Sequence, residues 1–369
     1  MKTWQQKRKQ LRKRRNKIIV TFKNLFLFFY FMKNNFEGIK KELEKKSYAV
    51  VGNSSGVQIC NWTKNSLRGE GVCWKEKFYG IKSHRCCQFS PSLMWCENQC
   101  LHCWRPIELN LGDKMDKIDD PIEILNKVVE ARKKLLTGFG GLDKVSKKRW
   151  KEAEEPTLYS FSLSGEPTLY PRLDEMTREI RRRKAISFIV TNGQNPEMIL
   201  KLAQNKALPT QLTLSTNAPN KELFDKWHSS CKKDAWERFN RTLEIVKTLK
   251  GKCRRCIRLT LVRKGLRGNP SLNDVTNMTD ELIPQYAQMI ITSQPDFVHV
   301  KGFTSIGYAR KRMGHDKMPW FYEIKDYAKK LLAELKEKDD KNWKILTDDE
   351  RSCVVVIGKN KKDMKIKNV

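Results

Sequence analysis

The chain is 369 residues long, carries 74 Lys+Arg against 42 Asp+Glu for a formal charge of +32, and holds eleven cysteines. Such a length can bury one barrel-sized core or two ordinary ones, and such a charge favours a polyanionic partner, since neutralised phosphates release counterions. With most cysteines crowded between 60 and 103, a small secreted disulfide scaffold is excluded in favour of metal binding in a reducing, cytoplasmic compartment.

Ten basic residues and no acidic one fall within residues 1–31. A basic stretch from Lys7 to Lys17 precedes an apolar run from Ile18 to Met32, interrupted by Lys23 and Asn24. The run is short for a membrane span, and without a small-residue cleavage site it is a poor signal peptide. Residues 1–46 are therefore expected to form an extension, with a membrane or polyanion anchor as the alternative. Met32 is a candidate true start, because it opens the soluble-looking amphipathic segment NNFEGIKKELEKK.

From Tyr48 onward, short apolar runs alternate with helical patterns, which predicts βα units. Residues 47–90 carry Cys60, Cys73 and Cys86 at intervals of thirteen and thirteen. They read as a second metal-binding segment merging into the first strand. Strands are expected within 84–92, 157–165, 185–193, 210–218, 255–263 and 295–303. Helices are expected over 234–250, where Trp236, Phe239, Leu243, Val246 and Leu249 share a face, and over 319–337, with Trp320, Ile324, Tyr327 and Leu331. WKILTD (343–348) and CVVVIG (353–358) predict a terminal hairpin or edge strands, and the basic tail 359–369 is expected to fray. The whole predicts an α/β fold over 84–358: a parallel sheet with right-handed crossovers, open or closed as a barrel.

Function on such sheets lies at the carboxyl ends of the strands. After the first strand comes Trp95-Cys96-Glu97-Asn98-Gln99-Cys100-Leu101-His102-Cys103-Trp104, a C-x3-C-x2-C loop. Iron–sulfur cubanes normally take four thiolates, so three leave one iron open, as catalytic zinc sites keep an open position. Ser164-Gly165-Glu166-Pro167-Thr168, Thr191-Asn192-Gly193 and Ser215-Thr216-Asn217 close the next three strands. Taken singly, these are strand-end capping residues. In this order behind the cysteine loop they resemble the radical S-adenosylmethionine (SAM) partial TIM-like barrel of about six βα units. The resemblance implies that Cys96, Cys100 and Cys103 hold a 4Fe-4S cluster whose open iron chelates SAM. It also implies that Ser164, Gly165, Glu166, Thr191, Asn192, Ser215 and Asn217 bind SAM, with Glu166 accepting from its ammonium group.

Over roughly residues 45–355 the chain closely resembles the SAM-dependent tRNA 4-demethylwyosine synthases. The likeness rests on QICNWTKNSLRGEGVCWKEKFYGIKSHRCCQFSPSLMWCENQCLHCWRP, FSLSGEPTLYPRL, IVTNGQNPE, LSTNAPN, DAWERFNRTLEIVKTL and HVKGFTSIGYARKRM. It implies a second 4Fe-4S cluster on Cys60, Cys73 and Cys86, with Cys87 competing for the third place. It further implies that pyruvate is condensed with 1-methylguanosine at position 37 of phenylalanine tRNA. In that reaction a 5′-deoxyadenosyl radical takes hydrogen from the base methyl, two pyruvate carbons enter the new ring, and the carboxyl carbon is lost. Pyruvate could be chelated by the second cluster or held as a Schiff base on a lysine of depressed pKa. Lys75, two residues after Cys73, matches the family's lysine; Lys77 is the runner-up. The resemblance is to members without the flavodoxin-like domain, so a monomer served by an external low-potential electron donor is expected.

For tRNA, Arg181-Arg182-Arg183-Lys184, Arg254-Arg255 and Arg310-Lys311-Arg312 are candidate phosphate contacts. Trp62, Trp74 and Trp104 are candidate stacking platforms for a splayed nucleotide. Cys253-x2-Cys256 resembles half a zinc site but lacks a second pair, and reads as structural, as do Cys231 and Cys353. Rival readings are another radical SAM RNA-modifying enzyme, a glycyl-radical activase, or a non-catalytic metal-stabilised RNA-binding module with closed four-ligand sites.

Overall fold

The computed structural model describes residues 36–265 and 275–366. The apolar run 18–32 and the candidate start at Met32 lie outside the described residues. Among those residues, no helix is long and apolar enough to cross a membrane.

Residues expected within the N-terminal extension instead supply a packed helix, α1 (Phe36–Glu44), whose Ile39 and Leu43 are buried against Leu93, Trp95 and Leu163. A hairpin that sequence periodicity did not reveal follows: β1 (Tyr48–Val51) and β2 (Ser55–Gln58) pair antiparallel. Four-residue strands carry too little alternation to register as such. Two short helices, α2 (Asn61–Arg68) and α3 (Trp74–Tyr79), then lead into β3 (Cys86–Ser90).

From β3 the chain follows the expected alternation. Strands β4 (Leu158–Phe161), β5 (Ile186–Thr191), β6 (Gln211–Thr216), β7 (Arg254–Leu261) and β8 (Phe297–Gly302) add in sequence order, each parallel to the last. The intervening helices include α4 (Pro121–Leu136), α5 (Lys147–Glu154), α6 (Leu173–Arg182), α7 (Pro196–Gln204), α8 (Lys221–His228), α9 (Ala235–Thr248) and α10 (Ile283–Ser293). After β8 come α11 (Gly307–Met313) and α12 (Phe321–Lys338). The hairpin β9 (Lys344–Asp349) and β10 (Val354–Gly358) then docks antiparallel on β8. The order β1-β2-β3-β4-β5-β6-β7-β8-β10-β9 leaves β1 and β9 as the edges of a curved ten-stranded sheet. This is the partial barrel of the radical SAM fold, with six parallel strands.

Alternation along the strands sorts side chains between two layers. Leu158, Phe188, Cys256, Phe297, Val354 and Val356 fill the floor of the interior. Residues of opposite parity, such as Ile257, Leu259, Val298 and Val300, pack on the outer helices. Each such buried side chain contributes about 1.5–3 kcal/mol. The basic tail is docked rather than frayed in its described part. Met364 is buried, Arg254 donates to the Met364 carbonyl at 3.1 Å, and the Ile366 amide donates to the Tyr79 carbonyl at 3.0 Å.

Candidate active site at the carboxyl ends of the barrel strands

The loop after β3 is stitched to the body of the protein by backbone bonds. The Gln99 and Leu101 amides donate to the His228 and Trp227 carbonyls at 2.8 and 3.1 Å. The Cys231 amide donates to the Glu97 carbonyl at 2.8 Å. Asn110 clasps Cys96 from both sides, accepting from its amide at 3.0 Å and donating to its carbonyl at 2.7 Å. Arg312 binds the Leu101 and Cys103 carbonyls and pairs with Glu108. The Cys100 sulfur lies 3.0 Å from His228 Nδ1, and Asn192 donates to the Cys96 sulfur at 3.6 Å.

Glu166 ties the neighbouring strand ends together. Its carboxylate accepts from the Thr168 amide and hydroxyl at 3.1 and 2.6 Å, from the Thr191 hydroxyl at 2.7 Å and from the Asn192 amide at 2.8 Å. Three of those bonds fall on Oε1 and one on Oε2, which leaves Oε2 able to accept another. Glu166 thus holds β4 to β5, and the Ser164 and Gly165 carbonyls, which accept no hydrogen bond among the described residues, are further free acceptors of this turn. Gly165 has φ +69°, and a Cβ there would stand 1.8 Å from the Ser92 carbonyl oxygen, so the turn requires glycine. Asn217 is likewise a supporting residue, accepting from the Thr260 amide at 3.0 Å and lying 3.3 Å from His102. Ser215 accepts from Arg258 at 3.1 Å.

Glu97, inside the cysteine loop, passed unnoticed in the sequence. It is buried and accepts from Asn192 and Asn195 at 3.2 and 2.8 Å. Burial, then the nearby Glu166, holds its carboxyl above the usual carboxylate range; burial raises Glu166 as well. Two buried carboxyls thus stand side by side here, with Lys232 and Arg312 the cations that act on this region.

The dispersed cysteines also converge. Cys60 caps α2, Cys73 precedes α3, and Cys86 opens β3 facing the interior. Lys75 donates to the Cys86 sulfur at 3.7 Å, and its charge is set by Cys86, Cys73 and Cys60 together. Cys87 points the other way, into the helix-facing layer. Lys77 also turns away, pairing with Asp349. Burial alone would depress the Lys75 amine, but the three cysteines outweigh it and raise its pKa. The depressed amine expected from sequence is found instead at Lys301, where burial brings the pKa down to about 8.

Most candidate tRNA contacts also bond to their own chain. Arg181 binds the Lys206 and Leu208 carbonyls, and Arg182 and Arg183 pair with Glu179. Arg254 stacks on Tyr79 and Phe297, and Arg255 is buried against Asp296. Arg312 faces the cysteine loop, while Arg310 and Lys311 are exposed. Among the aromatics, Trp62 lies under Arg351, Trp74 packs on Tyr79 and His299, and Trp104 is covered by Arg105. The exposed aromatics at the rim are Trp320 and Tyr322. Cys256 is a core residue hydrogen-bonded to His299, and Cys253 packs on the outer layer.

Both cysteine sets suit iron–sulfur clusters by donor chemistry: soft sulfur ligands, three each, in closed environments. Burial pushes the Cys73 thiol up to about 12 and raises Cys96, Cys100, Cys103 and Cys86, so ligation must displace protons. Among the described residues no three His, Cys, Asp or Glu side chains are gathered tightly enough for a single metal ion.

Two family models match the chain: the radical SAM superfamily over residues 91–266 and wyosine base formation over 292–359. The SAM-dependent tRNA 4-demethylwyosine synthase of Pyrococcus abyssi is 38% identical over 300 residues, covering 81% of this chain and 83% of that protein. The enzyme of that name from Methanocaldococcus jannaschii is 32% identical over 329 residues, covering 87% and 96%. A solved structure of TYW1 with a lysine–pyruvate adduct bound superposes with a TM-score of 0.72 at 32% identity, covering 89% of this chain and 97% of that one. A crystal structure of archaeal TYW1 gives 0.66 at 31%, covering 89% and 98%.

Proposed function

The chain belongs to the SAM-dependent tRNA 4-demethylwyosine synthases, radical SAM enzymes that modify tRNA, and from that premise we propose that it condenses pyruvate with 1-methylguanosine at position 37 of phenylalanine tRNA. The observation that carries the proposal is the gathering of Cys60, Cys73 and Cys86 around Lys75, in the segment that precedes the C-x3-C-x2-C loop. A zinc module or an activase gives no reason for an amine inside a second set of soft ligands. The lysine–pyruvate adduct of the solved relative supports the same assignment.

Cys96, Cys100 and Cys103 would hold the cluster that binds SAM, and Cys60, Cys73 and Cys86 a second 4Fe-4S cluster. When bound, cluster and SAM supply the electron and the deoxyadenosyl radical that begin the reaction. The protein's own work is placement. Ser164, Gly165, Glu166, Thr191, Asn192, Ser215 and Asn217 shape the SAM site, most through the hydrogen-bonded frame around Glu166 and Asn217. Glu97 and Glu166 favour SAM's positive charge. Lys75 adds its amine to the pyruvate carbonyl, and water leaves as the Schiff base forms. A proton must leave the ammonium before the amine can add. Arg310 and Lys311 at the rim are free to meet phosphates, and a separate low-potential donor supplies electrons. The working unit is a cytoplasmic monomer.

The test is a product assay. Anaerobically reconstituted protein is supplied with SAM, pyruvate, a low-potential reductant and phenylalanine tRNA bearing 1-methylguanosine, and the digested tRNA is read by mass spectrometry. Pyruvate-dependent 4-demethylwyosine together with 5′-deoxyadenosine is expected. Deoxyadenosine without the modified base would discard the substrate and keep the radical chemistry.

A further inference from the structure

Two interior cations have no role in the reading above. Arg258 lies on β7 and Lys301 on β8, both on the interior parity shared with Cys256 and Phe297. Arg258 is paired in register with Ser215 on one side and His299 on the other, and Lys301 stands one step nearer the strand ends. The hydrogen bonds of Arg258 and Lys301 go to neutral groups only: Arg258 to the Ser215 hydroxyl at 3.1 Å, Lys301 to the Ser352 carbonyl at 2.5 Å. Among the described residues neither forms an ion pair with a carboxylate, and Arg258 Nε is buried without any partner. Asp349, within electrostatic reach of Lys301, is paired with Lys77.

Desolvating a cation without an anion costs several kcal/mol, and Arg258 and Lys301 also repel one another. Such a pair is sustainable where an anion arrives with the ligand. The place of the pair says which anion. Cys73 lies within electrostatic reach of both Lys75 and Lys301, so the amine and one of the two unpaired cations flank one thiol. A 2-oxo acid carries its carboxylate one bond from the carbonyl carbon that an amine attacks.

Resting on the Schiff-base reading of Lys75, we infer that Arg258 and Lys301 form a carboxylate cradle that selects a 2-oxo acid and turns its carbonyl toward Lys75. A planar guanidinium offers two parallel donors to a carboxylate, and the ammonium a third. The cradle also predicts a preference for an acid over a neutral ketone, because an uncharged ligand would leave both cations unpaired.

The test compares KM for pyruvate and KM for SAM in product formation by the cluster-loaded enzyme, for wild type, Arg258→Gln, Arg258→Lys and Lys301→Met. Loss of a charged hydrogen bond should raise the pyruvate KM about 10- to 100-fold, leave the SAM KM within about threefold, and be partly rescued in Arg258→Lys. Methyl pyruvate, which has no charge, should be a poor substrate for wild type and lose no further ground in the variants. Melting temperature and iron content matching wild type check that the variants fold. A raised SAM KM with an unchanged pyruvate KM would overturn the cradle and give the cations to SAM's own carboxylate. No product from wild type with pyruvate would instead sink the function on which the cradle rests, and the cradle with it.

Discussion

The three-cysteine loop and the dispersed set differ both in assembly and in the charges around them. Cys96, Cys100 and Cys103 belong to one loop, positioned by backbone bonds to residues 227–231 and by Asn110 and Arg312. Cys60, Cys73 and Cys86 come from the starts of three separate elements and meet only when the chain folds. Around Cys96 stand the buried carboxyls of Glu97 and Glu166. Around Cys73 stand Lys75 and Lys301. On the proposed function, the acidic end beside Cys96 would take the cationic cofactor and the basic end beside Cys73 an anionic co-substrate.

The largest expected effects test whether the two sets are independent. Cys96→Ala should lower both 5′-deoxyadenosine and modified base by at least about a thousandfold, since the cofactor carries the hard chemistry. Cys73→Ala should remove the modified base to a similar degree and leave deoxyadenosine within about threefold. Iron per chain should fall by about half in each, as expected for one cubane of two. If either substitution emptied both sets, the division of labour between them would be gone.

Next in size is the nucleophile. Lys75→Ala should abolish borohydride-trapped pyruvate and cut product at least about a hundredfold, with deoxyadenosine formation retained. Lys75→Arg keeps the charge among the cysteines without an amine able to form an imine, and should fail equally. Peptide mapping of the trapped adduct decides between Lys75 and Lys301, whose depressed pKa makes it the chemical competitor. Trapping undiminished in Lys75→Ala would move the Schiff base to Lys301 and leave Lys75 as a counter-charge.

A smaller effect probes the acidic end. Glu166→Gln should raise the SAM KM about tenfold, because charge-assisted hydrogen bonds to the Thr168, Thr191 and Asn192 frame become neutral ones. Pyruvate KM should not move. An equal rise in both would mean that the two ends are coupled mechanically and not merely of opposite sign.

The contrast in assembly also explains what sequence could reveal. The loop was legible because its ligands are four and three residues apart, and the six parallel strands because each carries its own alternation and strand-end polar turn. The dispersed set was legible through family resemblance and the thirteen-residue ladder, not through local pattern. Glu97 went unread because a carboxylate inside a cysteine loop looks like any exposed polar residue until burial is known. Arg258 and Lys301 were hidden among many basic residues in strands chosen for their apolar character. The basic runs are mixed for the converse reason: Arg181, Arg255 and Arg312 are bound to carbonyls and carboxylates of their own chain, and charge composition does not distinguish such residues from the exposed Arg310 and Lys311.

The smallest expected effect decides whether the ladder ends where it is drawn. Cys86 and Cys87 are adjacent on β3, so their side chains take opposite faces. Cys86 packs with Leu158 and Phe188 on the interior floor and accepts from Lys75. Cys87 is fully buried with Ile124, Val128 and Tyr159 beneath the outer helices, where burial pushes its thiol up to about 12. Cys87→Ser exchanges a weakly polar thiol for a hydroxyl in that apolar layer, at about 1–3 kcal/mol. That should lower the melting temperature by a few degrees and leave iron content and product within about twofold. Cys86→Ser should do the reverse, sparing the melting temperature of the metal-free protein and losing the second set's iron. Iron lost from Cys87→Ser and kept in Cys86→Ser would turn β3 over, and Lys75 would then no longer stand inside the second set.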